Sequence, residues 1–220
     1  MSHAQAAAHA PVSTATGIPN GKLGIWLFLA SEIMFFTGLI GAYVVLKMSH
    51  PAWPGAEGHL SVPIGTVNTL ILICSSTSIV LALAAAERGA DRAGGPAARG
   101  GEEMPRDADR AAMAAVRGWL ILTAALGSLF LVVKGFEYAA KFSHHIFPST
   151  NVFWSCYFAL TGFHALHVLG GIVFNLWVLA YTGGDALWAS RRHRLELAGL
   201  YWHFVDIVWI FLFPMLYLFN

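Results

Sequence analysis

Five stretches of about twenty or more predominantly apolar residues run through this chain, separated by polar connections. A helix rises about 1.5 Å per residue, so about 20 apolar residues cross the roughly 30 Å hydrocarbon core of a bilayer. The five windows fall at about 23–46, 62–86, 118–139, 152–181 and 197–219. Pro63 sits in the first turn of the second, where a helix has no use for the missing N–H. Composition points the same way: 57% of the 220 residues are hydrophobic and 11% are charged, against about 25% charged in soluble domains. So few charges cannot cover a water-facing surface. The expected fold is an all-α integral membrane bundle of five transmembrane helices in one domain, residues 21–220.

Lysine and arginine set the expected orientation, because cytoplasmic connections retain positive charge. Ten lie on the N-terminal side of the membrane: Lys22, Arg88, Arg92, Arg99, Arg106, Arg110, Arg117, Arg191, Arg192 and Arg194. Three lie on the other: Lys47, Lys134 and Lys141. The N-terminus is therefore expected in the cytoplasm and, after an odd number of spans, the C-terminus in the periplasm. Residues 1–20 are polar and Ala-rich without a basic start, so they read as a flexible cytoplasmic tail and not as a cleavable signal. The polar stretch at 87–115, rich in Gly, Ala and Arg, reads as a flexible cytoplasmic loop with room for a short amphipathic helix before Arg117. A net charge of +1 gives no sign of a polyanionic partner such as nucleic acid. Cys74 and Cys156 lie inside apolar windows without metal-ligand spacing and are expected to be small buried hydrophobes.

Ionisable residues at depth carry the most information, since each costs about 2.5–3.5 kcal/mol near the bilayer centre on insertion scales. Glu32 lies about 13 Å into the first window. It is either a structural carboxyl hydrogen-bonded to a neighbouring helix or a functional one. His164 and His167 are three residues apart, a spacing that puts both on one helix face. Interhelical hydrogen bonding is the expected role for this pair. Haem or metal ligation would need a third group from another helix, with His203 at comparable depth. His203 and Asp206 repeat the same spacing on the last helix, where an imidazole and a carboxylate can satisfy each other. A structural pair there competes with a proton relay. Glu137 sits near the outer end of the third helix. Gly38, Gly41, Gly162, Gly170 and Gly171 offer small surfaces for close helix approach. Trp26, Tyr43, Trp119, Tyr138, Trp154, Tyr181 and Tyr217 are placed as interfacial belt residues. No internal repeat or pair of broken helices supports a secondary transporter.

Four segments together resemble subunit III of the haem–copper oxidases. They are WLFLASEIMFF at 26–36, Val62-Pro63 followed by Asn68-Thr69, TGFHALH at 161–167 and YWHFVDIVW at 201–209. Phe136-Glu137-Tyr138 is similar as well. The resemblance runs from about residue 21 to 220, the long polar loop excepted, and fits a short five-helix form lacking the first two helices of the longer one. It implies an accessory, non-catalytic subunit of cytochrome c oxidase, with haem and copper held by partner subunits and none in this chain. Subunit I is the implied main contact and subunit II a further partner. The implied role is support of assembly, proton uptake and protection of subunit I in a bacterial inner membrane, with phospholipid bound in a cleft. Glu32 matches the family's buried carboxyl near those lipids. Glu137, His164, His167, His203 and Asp206 match family positions with structural roles. A similar chain in a quinol oxidase or nitric oxide reductase is the alternative reading. More remote are an independent transporter built on Glu32 and Asp206, and a membrane cytochrome.

Overall fold

A computed structural model describes residues 20–56, 58–94, 106–181 and 188–219. Five helices cover most of them: α1 Asn20–Ser49, α2 Val62–Gly94, α3 Arg106–Ser143, α4 Val152–Tyr181 and α5 Trp188–Phe213. A π-helical turn, Pro214–Leu218, continues α5. Each helix holds a segment long and apolar enough to cross a membrane, and no strand occurs among the described residues.

Helices α2, α3, α4 and α5 close into a ring, α2 packing on α3 and α5, and α4 on α3 and α5. Their buried residues recur every three and four positions, the spacing of left-handed bundles. On α5 these are Leu195, Ala198, Trp202, Val205, Trp209 and Leu212, continued by Leu216 in the π-helical turn. On α4 they are Trp154, Tyr157, Thr161, His164, Val168, Gly171, Asn175 and Val178. The α3 seam runs through Val116, Leu120, Thr123, Gly127, Phe130, Lys134 and Lys141, and the α2 seam through Asn68, Leu72, Ser75, Ile79, Ala82 and Ala86. Helix α1 lies outside this ring against α4 and α5. It buries one residue per heptad, Leu29, Phe36 and Tyr43.

The ring closes on Trp202. Its indole donates to Ser75 Oγ of α2 at 3.0 Å and fills the space left by two glycines. A Cβ on Gly127 of α3 would stand 2.5 Å from Cη2 of the ring, and one on Gly171 of α4 would stand 2.7 Å from Cε3. One turn-pair further along, Trp209 donates to Thr69 Oγ1 of α2 at 2.9 Å. It also stacks on His164 of α4 and meets Phe130 of α3 edge-on, with ring centroids 4.9 and 5.0 Å away.

Several expectations need correction. Helix α2 runs on to Gly94 and α3 begins at Arg106, so the described parts of the expected loop are helical. Alanine and arginine are strong helix formers, and they carry the helices past the apolar windows. Residues 95–105, like residues 1–19 of the expected tail, lie outside the described residues. Cys74 faces outward, and Cys156 is half-buried. Trp26 and Tyr181 are exposed as belt residues are, but Tyr43, Trp154 and Tyr217 are core. Of the expected glycine contacts, Gly170 and Gly171 meet Tyr201 and Trp202, whereas Gly38 and Gly41 meet nothing within 4 Å.

The two glycines facing Trp202 make a direct test. Gly127→Ala forces a methyl group into a rigid ring, and overpacking of this kind destabilises by about 1–3 kcal/mol. The expected result is a lower unfolding midpoint for the detergent-solubilised chain. Gly38→Ala, which meets nothing, is expected to leave the midpoint unchanged or slightly higher.

Candidate functional site

Two polar centres lie in the membrane-spanning region, one on each side of α4. The first joins α1 to α4. His167 Nε2 lies 3.0 Å from Glu32 Oε2, and His167 Nδ1 lies 2.8 Å from the carbonyl oxygen of Phe163. A carbonyl only accepts, so Nδ1 carries a hydrogen, and Nε2 shares one proton with the Glu32 carboxyl. The pair is mostly buried: 16% of the His167 side chain and 20% of the Glu32 side chain remain accessible. Phe36 packs edge-on against the imidazole, with centroids 5.0 Å apart. The main chain is held in place as well, because Tyr201 of α5 donates to the carbonyl of His167 at 3.0 Å.

The second centre sits near the end of the bundle opposite Asn20 and joins α3, α4 and the π-helical turn. Lys134 Nζ donates to Glu137 Oε2, Tyr157 Oη and Tyr217 Oη at 3.0, 3.2 and 2.6 Å. Glu137 Oε1 accepts from Lys141, Tyr157 and Tyr217 at 2.8, 2.9 and 2.6 Å. The rings of Trp209, Tyr217 and Tyr157 surround the Lys134 amine, with centroids 4.8, 5.0 and 5.3 Å away, close enough for cation–π attraction. Sequence explains the placement. Lys134, Glu137 and Lys141 recur at three and four residues, so they share one face of α3. Pro214 opens the π-helical turn, whose wider winding buries Leu216 and Tyr217 together.

The three candidate histidines take different partners. His164 turns into the bundle, fully buried between Trp209 and Phe130, with neither ring nitrogen hydrogen-bonded. His167 turns outward to α1, so the three-residue spacing does not make the two a unit. His203 bonds Ser76 Oγ through Nδ1 at 2.7 Å. The expected His203–Asp206 pair does not form. The Asp206 carboxyl is buried near the same Ser76, with no hydrogen bond of good geometry. The Ser76 hydroxyl of α2 captures the imidazole instead. Among the described residues no group of three His, Cys, Asp or Glu side chains is close enough to hold a metal ion.

Ion pairs close the end that holds Asn20. Lys22 of α1 meets Glu196 of α5 at 2.8 Å, and Arg192 meets both Glu196 and Glu87 of α2 at 3.1 Å. Between α1 and α5 runs an apolar groove of about 530 Å³, walled by Trp26, Ile33, Phe36, Phe204 and Phe211, with His203 at its edge.

The family description "Cytochrome c oxidase subunit III" matches residues 107–220. "Cytochrome c oxidase subunit 3" of Thermostichus vulcanus is 37% identical over 199 residues, covering 89% of this chain and 86% of the relative. The chain belongs to the cytochrome c oxidase subunit III family. The subunit 3 proteins of Corynebacterium diphtheriae and Synechocystis sp. are 34% and 37% identical, covering 89% and 92% of this chain and 86% and 77% of the relatives. Agreement therefore spans the helix that carries Glu32 as well as the matched C-terminal half.

Among the polar groups of this family member, Lys134 and Lys141 went unnoticed as site residues, although their spacing around Glu137 is plain in the sequence. Removing one partner of a buried ion pair typically destabilises by about 3–5 kcal/mol. Glu137→Gln is expected to lose stability on that scale, with two amines left facing each other. Adding Lys134→Met is expected to restore part of it. Unfolding of the single and double variants gives the coupling.

Proposed function

We propose that this chain is the accessory subunit III of a proton-pumping haem–copper terminal oxidase, with no redox centre of its own. Support comes from its family membership together with one observation, the Glu32–His167 pair. A carboxyl and an imidazole 3.0 Å apart inside a membrane helix pair can pass a proton between them without a change of backbone, whereas neither catalyses electron transfer. The role assigned is to assist assembly, to maintain proton uptake by subunit I and to protect it during turnover. Subunit I is the main partner and subunit II a second. Haem and copper belong to those partners.

The end of the bundle holding Asn20 is assigned to the cytoplasm, following the excess of lysine and arginine there. The membrane is assigned as a bacterial inner membrane. The groove between α1 and α5 suits a phospholipid acyl chain. Glu137, His164, His203 and Asp206 are assigned structural roles, since each is engaged with or enclosed by neighbouring helices.

Purification in mild detergent through an affinity tag tests the assignment. Partners homologous to subunits I and II, with a reduced-minus-oxidised spectrum showing haem a, are expected. A lone chain without haem overturns it, and a quinol-oxidising or nitric-oxide-reducing partner redirects it. For Glu32→Gln the expected complex assembles with unchanged haem spectra, yet loses activity faster during turnover or pumps fewer protons per electron. Unchanged decay and pumping would reduce Glu32 to a packing residue.

A further inference from the structure

Glu137 and Lys141 face a second cavity, on the side of the bundle formed by α2 and α3. It measures about 470 Å³. Its polar rim is His59 and Ser61, before α2, with Lys141 and His144 at the end of α3. Its floor is apolar and built from Ile64, Val133 and Phe136. Phe136 and Ile64 also point away from the protein, 73% and 46% exposed, so the floor opens onto hydrocarbon. A polar rim above an apolar, lipid-facing floor is the shape of a site for an amphiphile whose head sits at the membrane surface.

Charge says which head. The carboxylate of Glu137 already accepts from Lys141, Tyr157 and Tyr217 at one oxygen and from Lys134 at the other. Two amines thus share one carboxylate, whose Oε1 already accepts three hydrogen bonds. Lys141 gives Glu137 one hydrogen bond, and an ammonium has three to give. The ring of His144 stands 6.1 Å from that of His59, centroid to centroid, a span that one phosphate group can bridge with its oxygens. Tight backbone turns flank both histidines. Gly58, at φ 78°, turns the chain into His59, and His145 takes the left-handed φ of 58° that ends α3. Ile146 N–H then bonds back to the carbonyl of Lys141 at 3.0 Å.

We propose that this cavity binds a phospholipid with an anionic phosphate head, held by Lys141, His59, His144 and Ser61, with an acyl chain along Ile64, Val133 and Phe136. The site is separate from the groove between α1 and α5 and lies across the bundle from Glu32. It requires only that the chain spans a membrane, not that it assembles into an oxidase.

The test is native mass spectrometry of the full chain in detergent, titrated with dioleoylphosphatidylglycerol. Wild type is compared with His59→Gln/His144→Gln, whose replaced side chains are exposed and stand outside the buried ion cluster, and with His50→Gln as a control. Wild type and the control are expected to retain a tightly bound lipid that the double variant binds about tenfold more weakly, the effect of losing about two hydrogen bonds. Equal binding by all three overturns the proposal. Displacement of the lipid by millimolar inorganic phosphate overturns it in favour of a free-anion site. Equal affinity for dioleoylphosphatidylcholine removes the charge argument and overturns the anionic assignment.

Discussion

Four helices can converge on one indole only where two of them bring no side chain to the crossing. Gly127 and Gly171 leave that space, and Trp202 fills it while donating to Ser75. In lipid no hydrophobic force draws helices together, because acyl chains are as apolar as leucine. Association then rests on close packing and interhelical hydrogen bonds. The Trp202 and Trp209 contacts supply both, and they reach all four helices of the ring. The positions of the polar side chains follow from this geometry. His164 is buried because it stacks on Trp209. Lys134 is caged because Trp209 and Tyr217 turn their faces to it.

The ring has an outlier. Helix α1 is joined to it by a few specific contacts: Lys22 to Glu196 at one end, Glu32 to His167 in the middle, and Tyr43 to the carbonyl of Met215 at the other. Most of its remaining surface is bare. Leu27, Met34, Val45 and Met48 are each more than 60% exposed. Glu32 thus lies on the least embedded helix, where a partner or lipid changes its surroundings most readily, while His164 and Lys134 lie inside the closed ring.

Much of this was readable in advance, and the failures have physical causes. The five spans follow from apolar length alone, and the family resemblance follows from four short motifs. The buried seams were present in the sequence at every third and fourth residue, but they were masked. In a membrane helix the outward face is as apolar as the inward one, so hydrophobic spacing does not separate them. Size does: Gly127, Gly171 and Ser75 mark the inside, although Gly38 and Gly41 look the same and meet nothing. Glu32 was recognisable as a buried carboxyl needing a partner, but His167 lies 135 residues away, beyond any local rule. Lys134 and Lys141 were counted only as charges setting orientation, and their shared face with Glu137 was overlooked. The stretch after Glu87 was read as loop from its polar, glycine-rich composition, whereas alanine and arginine extend a helix readily once it has begun.

The charged cluster around Glu137 has a bearing on biosynthesis. Tyr217, which donates to Glu137 and accepts from Lys134, lies 83 residues after that lysine. At a synthesis rate of about 5–20 residues per second, the lysine is made roughly 4–17 s before the hydroxyl that completes its cage. During that interval α3 carries two amines and a single carboxylate without their final partner. The charged cluster is therefore complete only once the π-helical turn has been made, long after α3 itself.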